Sequence, residues 1–241
     1  MRIKKVWAVY FSGTGTTEKT VRRIAAGMAQ ALDAELAVYD FTTPAARQRE
    51  LRFNAEELAV LGVPVYAGRV PNVLLPYLTK QLHGGGALAV PVVLFGNRNF
   101  DDGLIELRNI LTEDGFMPVA GGAFVGEHAF SRTLGAGRPN GDDLAEMDAF
   151  ARRAAEKVTA LMARVRRTAS SRLRWWMLRP VALPAAPPTW ICSQSCVRNV
   201  SASTVEPPAH TRPVRPAALL ACLRSSADFL PSSLGGLTFT K

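Results

Sequence analysis

The six residues Ser12-Gly13-Thr14-Gly15-Thr16-Thr17 constrain this chain more than any other stretch. They join an unbroken apolar run, Val6–Phe11, to a segment in which Val21, Ile24, Met28 and Leu32 recur at helical spacing. A short apolar run rich in β-branched and aromatic residues is the pattern of a strand buried on both faces. The segment Thr17–Leu32 then reads as a helix with one apolar face to lay against that strand.

The same alternation continues along the chain. Leu36–Tyr39, Leu58–Tyr66, Leu88–Phe95 and the looser Met117–Val125 read as four further strands. Helical stretches are expected at about 72–82 and 100–114. A long closing helix starts at Gly141-Asp142-Asp143 and carries Leu144, Met147, Ala151, Ala154, Val158, Leu161 and Val165 on one face. Its acidic first turn suits the positive end of the helix dipole. Strands alternating with helices predict an α/β domain over residues 1–167, a doubly wound parallel sheet of five strands. Ligands of such sheets bind beyond the C-terminal strand ends, which directs attention to the loops after strands one, three, four and five.

Composition divides the chain at about the same place. Residues 1–167 carry 21 basic and 18 acidic groups, whereas residues 168–241 carry 8 against 2. The second part also holds 9 of the 16 prolines and all three cysteines, and it lacks sustained periodicity. We expect it to be a basic Pro/Ser/Arg-rich tail without a compact core. Its stretch Ser170–Arg179, with Trp175 and Trp176 among arginines, reads as a linker packing on the globular part, or as a surface for an anionic membrane. No transmembrane segment is expected, because no apolar run approaches about 18 residues. The basic start at Arg2, Lys4 and Lys5 precedes too short an apolar run for a signal peptide, so a cytoplasmic protein is expected.

The first loop carries the chemistry. Two glycines let the backbone turn and present its N–H groups, four hydroxyl side chains surround them, and a helix N-terminus follows. That set binds a phosphate without a cationic side chain. No Lys follows Gly15, so the loop is not a Walker loop, and Glu18 occupies the place of the third glycine of a dinucleotide fingerprint.

Tyr10-Phe11-Ser12-Gly13-Thr14-Gly15-Thr16-Thr17-Glu18 resembles the FMN-phosphate loop of flavodoxins. Pro64-Val65-Tyr66-Ala67-Gly68-Arg69-Val70-Pro71 and Phe95-Gly96-Asn97-Arg98-Asn99-Phe100-Asp101-Asp102 resemble the two loops that hold the flavin ring. With Gly122–His128 they resemble the subgroup in which a flavodoxin domain is fused to a bacterial ferredoxin with two [4Fe–4S] clusters. The resemblance covers residues 1–167 and implies strand order 2-1-3-4-5. It also implies FMN as cofactor, and single electrons passed to an iron–sulfur or other redox partner. No nucleic-acid partner is expected. Rival readings are an NAD(P)H-dependent reductase of quinone-like acceptors, and a binding module without flavin.

By that resemblance Ser12, Gly13, Thr14, Gly15, Thr16 and Thr17 would take the phosphate. Tyr66 and Phe100 would stack on the ring, Ala67 and Gly68 would offer it a backbone carbonyl, and Gly96 and Asn97 would read its polar edge. Arg69 and Arg98 depart from the acidic surroundings usual in flavodoxins. A cation about 8 Å away at an effective dielectric near 40 is worth about 1 kcal/mol, or about 45 mV per electron. Alternatively the two guanidinium groups pair with carboxylates such as Asp101 or Asp102. Glu127 and His128 follow the fifth strand and can reach the same cleft.

The subgroup would place C-x₂-C-x₂-C-x₃-C-P twice after residue 167. This chain offers Cys192, Cys196 and Cys222, too few for even one four-thiolate cluster. The tail has the composition of a GC-rich coding region read out of frame. We therefore predict one FMN and no iron–sulfur cluster on this chain, with flavin affinity intact after deletion of residues 168–241. Iron and sulfide analysis after anaerobic reconstitution checks it; stoichiometric iron and sulfide would refute it.

Overall fold

The structure, a computed structural model, describes residues 2–171 apart from Asn97 and Arg132. The expectations for Asn97, for Trp175 and Trp176, and for Cys192, Cys196 and Cys222 lie outside the described residues. Among the described residues, eight strands and four α-helices follow in this order: β1 Lys5–Tyr10, α1 Thr16–Leu32, β2 Glu35–Asp40, β3 Leu51–Arg52, β4 Glu57–Pro64, α2 Leu75–Lys80, β5 Leu82–His83, β6 Leu88–Phe95, α3 Gly103–Glu113, β7 Met117–Pro118, β8 Gly122–Val125 and α4 Gly141–Ser171.

The main sheet is parallel throughout, in the order β2-β1-β4-β6, with β7 and β8 both beside β6. The five expected strands are thus present, the fifth in two pieces. Its interruption has a cause in its neighbour. Met117 N–H, Val119 N–H and Gly126 N–H donate to the carbonyls of Ala87, Ala89 and Phe95, so alternate residues of β6 face the fifth strand. Pro91 falls in that alternation and has no N–H to give. The ladder therefore breaks there: two residues of β6 separate the paired positions Ala89 and Val92, against three between Pro118 and Gly122.

Two apolar layers cover the sheet. On one face α1 and α4 enclose Val6, Ala8, Val60, Val90 and Phe124. On the other, α2 and α3 close over Val9, Leu61, Val63, Ala89 and Val93. Alternate residues of one strand thus feed opposite cores, which is why the strands read as continuous apolar runs. Helix α4 begins on a reciprocal cap, with Asn140 Oδ1 accepting from Asp143 N–H and Asp143 Oδ2 accepting from Asn140 N–H. Asp143, 4% exposed, is also paired with Arg138. No helix among the described residues is long and apolar enough to cross a membrane.

The helix expected at 72–82 is shorter. A 3₁₀ turn at Asn72–Leu74 leads into α2, and Leu82–His83 pairs instead with Leu51–Arg52 as a small parallel ladder. Two-residue strands have no periodicity to betray them. The helix expected from residue 100 starts at Gly103, because Phe100–Asp102 form a turn that braces residues 66–69.

One contact sets where α1 lies. A Cβ on Gly62 of β4 would stand 2.1 Å from Val21 Cγ2 of α1, so the Val21 side chain packs directly on the bare strand backbone. Gly62→Ala should cost about 1–3 kcal/mol through overpacking, and adding Val21→Ala should recover part of the loss. Urea unfolding of the single and double variants tests this; equal losses in both would place the strain elsewhere.

Asp114 closes α3 at its negative end, and its Oδ2 is buried without a partner. Burial, reinforced by Glu113 and opposed by His83, pushes its carboxyl up to about 6 from 3.8. The folded state therefore holds this proton more tightly than the unfolded chain. Stability from this group is full below about pH 3.8 and is lost as pH rises through about 6. Asp114→Asn should unfold at higher urea concentration than the unchanged protein at pH 7, with the difference closing toward pH 4. A difference independent of pH would remove the carboxyl from this account.

Candidate functional site

The strand order reverses between β1 and β4, and the Ser12–Thr17 loop crosses the C-terminal end of that junction. Gly15 sits at φ +83°, left-handed backbone that glycine adopts without strain, as the residue before α1. Ser12 is fixed from both sides: its N–H donates to Thr42 Oγ1 at 2.9 Å, and its Oγ accepts from Glu18 N–H at 3.1 Å. The N–H groups of residues 13–17 donate to no other described residue. Five donors at the start of a 17-residue helix are therefore free to meet one anion. The hydroxyls of Thr14 and Thr16 lie 3.5 Å apart beside them.

A cavity of about 220 Å³ opens from this loop. Gly13, Thr14, Thr16 and Thr17 form one end, Val65, Tyr66 and Ala67 a second wall, Phe95 and Gly96 the floor, and the 126–130 segment the opposite side. Tyr66 stands 46% exposed at the mouth. Phe130, 95% exposed, stands on the other side with its ring against His128. The His128 ring lies over Gly96, where a Cβ would come within 2.7 Å of it. His128 Nδ1 accepts from Phe130 N–H at 3.2 Å.

Residues 66–69 form a tight two-residue reversal. Tyr66 and Arg69 exchange N–H···O bonds of 3.0 Å, with Ala67 at φ +50° and Gly68 at φ +79°. Both central residues are left-handed, as in a type I′ turn, which an alanine adopts only at a cost of about 1 kcal/mol. The next loop braces it. Asp102 N–H donates to the Gly68 carbonyl at 3.0 Å, and the Asp101 carboxylate packs so closely that a Cβ on Gly68 would stand 2.7 Å from its Oδ2. Asp101 is itself left-handed, at φ +40°.

The structure thus brings Gly13, Thr14, Thr16, Thr17, Tyr66, Ala67, Gly96, Glu127 and His128 around one cavity, with Ser12, Gly15 and Gly68 behind its walls. Phe100 stands further off, its ring 5.6 Å from that of Phe95 at the edge of the second core. Arg69 turns away to grip Glu106 with two bonds of 2.9 and 2.7 Å. That grip, helped by Val70 N–H, holds the Glu106 carboxyl below its usual range. Arg98 pairs with Asp101. Each cation is accompanied by an anion: Arg98 takes Asp101, the carboxylate pairing expected as the alternative, and Arg69 takes Glu106 in place of Asp101 or Asp102.

Thr42 and Phe130 belong to this region although no motif singles them out, and Gly126 lies within the Gly122–His128 segment without a role assigned to it. Thr42 reaches the loop from the end of β2. Gly126 lies so close to Thr16 that a Cβ would stand 2.6 Å from Thr16 Cγ2.

A parallel sheet in this order, with a phosphate-type loop over the reversal, decides the fold. It is flavodoxin-like. No family model matches the chain, and no curated protein matches it in sequence. Among solved structures, a flavodoxin from the domain Archaea aligns at 16% identity over 64% of this chain and 99% of its own, with a TM-score of 0.47. Oxidised flavodoxin 2 from Bacillus cereus aligns at 17% over 64% of this chain and 99% of its own, with a TM-score of 0.46. The rubredoxin oxygen:oxidoreductase of Desulfovibrio gigas aligns at 15% over 66% of this chain but 37% of its own, with a TM-score of 0.46.

Proposed function

We propose that this chain binds FMN in the cavity at the β1/β4 reversal and carries single electrons between redox partners. The observation that supports this most is the donor set: five uncommitted backbone N–H groups, with threonine hydroxyls beside them, at a helix N-terminus over the switch point. FMN, when bound, supplies the electron-carrying ring; the chain's own groups hold and orient it.

The N–H groups of residues 13–17 and the hydroxyls of Thr14, Thr16 and Thr17 would hold the phosphate. Tyr66 would cover the ring at the mouth, and His128 and Phe130 would exclude water opposite. In the 66–69 turn the Gly68 carbonyl is already engaged by Asp102 N–H, whereas the Ala67 carbonyl accepts from no described residue. Ala67 is therefore the backbone acceptor that this turn offers to a ring N–H. Arg69 and Arg98, paired with Glu106 and Asp101, would tune the site weakly. Resemblance to the ferredoxin-fused subgroup favours an iron–sulfur partner. With three cysteines here, its clusters would sit on another chain.

Replacing Thr14 and Thr17 together by Ala should weaken FMN binding by roughly 1–3 kcal/mol, the scale of hydrogen bonds lost to a charged group. Fluorescence quenching on titration with FMN reads it. An unchanged affinity would move the phosphate elsewhere. Rapid reduction of the bound flavin by NAD(P)H alone, without a partner protein, would overturn the carrier reading in favour of a reductase.

A further inference from the structure

The loop that follows β2 is built more rigidly than a connection requires. Phe41 is 0% exposed, and its ring stacks on that of Tyr77 at 4.8 Å. Tyr39 Oη donates to the Ala46 carbonyl at 2.8 Å. Arg47 Nη1 donates to two successive carbonyls, Phe41 at 3.1 Å and Thr42 at 2.7 Å, and its guanidinium carbon lies 5.8 Å from the centre of the Phe11 ring. Thr42 N–H donates to Asp40 Oδ1 at 2.8 Å. The backbone of Thr42 is thereby held at both its N–H and its carbonyl. Its Oγ1 is left to accept the Ser12 N–H.

We infer that Thr42, clamped by Arg47, is a positioning residue for the phosphate loop and selects for phosphorylated ligands without touching them. The inference rests on the FMN reading and deepens it. Ser12 N–H is the first donor of the loop, and by pairing with Thr42 it is turned away from the free donors of residues 13–17. With Ser12 Oγ tied to Glu18 N–H, the loop enters its turn in one orientation. Remove the Thr42 acceptor and a partly buried N–H loses its partner, which the loop can recover only by rotating. Such rotation misaligns donors that must converge on one anion. The His128 ring, which packs on Gly96, and the 66–69 turn, braced by Asp101 and Asp102, are held by other segments.

The test compares FMN with riboflavin, which shares the ring and lacks the phosphate, on the full chain. Thr42→Val keeps the shape and loses the acceptor; Thr42→Ser keeps the acceptor. Thr42→Val should bind FMN roughly tenfold more weakly, riboflavin should change by less than about twofold, and Thr42→Ser should restore FMN affinity. Unchanged FMN affinity in Thr42→Val overturns the inference alone. A parallel fall for both ligands overturns it too, because it marks general loosening. Failure of the unchanged chain to bind FMN overturns the cofactor reading, and this inference with it.

Discussion

The contact between Gly62 and Val21 is the constraint on which the rest depends. A parallel strand pair offers an anion nothing by itself; a helix must begin beside it and point its free N–H groups outward. Here Val21 and Thr17 of α1 pack on bare β4 backbone at Gly62, so one layer of side chains, not two, separates helix from strand and sets the helix close to the sheet. A similar approach recurs where α1 meets α4, since a Cβ on Gly27 would stand 3.1 Å from that of Ala151. Arg23 and Asp148 tie the same two helices at their surface. Fixed on both sides, α1 delivers residues 13–17 to the reversal of the sheet with little freedom.

Strain at the site is held by neighbours of the same kind. Ala67 and Asp101 both occupy left-handed backbone that their side chains disfavour, and each belongs to the loop that braces the other. Neither conformation would persist in an isolated loop. Two short loops from different strands are thereby made into one rigid wall, which can present a carbonyl at a defined place.

The fold was largely legible in the sequence because its central strands β1, β4 and β6 are buried on both faces. Val6–Phe11 and Leu88–Phe95 are unbroken apolar runs for that reason, and their limits differ from β1 and β6 by one residue or none. The phosphate loop was legible because glycines and hydroxyls must sit next to one another in the chain to do their work. Other parts depend on partners distant in sequence. Nothing around Thr42 marks it, since its meaning lies in Ser12, 30 residues away. Nothing in the sequence marks Glu106, 37 residues on, as the carboxylate that takes Nε and Nη2 of Arg69. The ladder of Leu51–Arg52 with Leu82–His83 is too short for a pattern of any period.

Pro91 has a consequence beyond the local ladder. An outer strand of a sheet presents a row of unpaired backbone groups, and a long straight row invites a strand from another molecule to add to it. By breaking its neighbour, Pro91 divides this border into a two-residue and a four-residue piece, offset by one residue. Neither piece gives a foreign strand a continuous template, and the extra residue throws any strand that followed one piece out of step with the next. A proline in the interior of the sheet thus guards its rim against self-association.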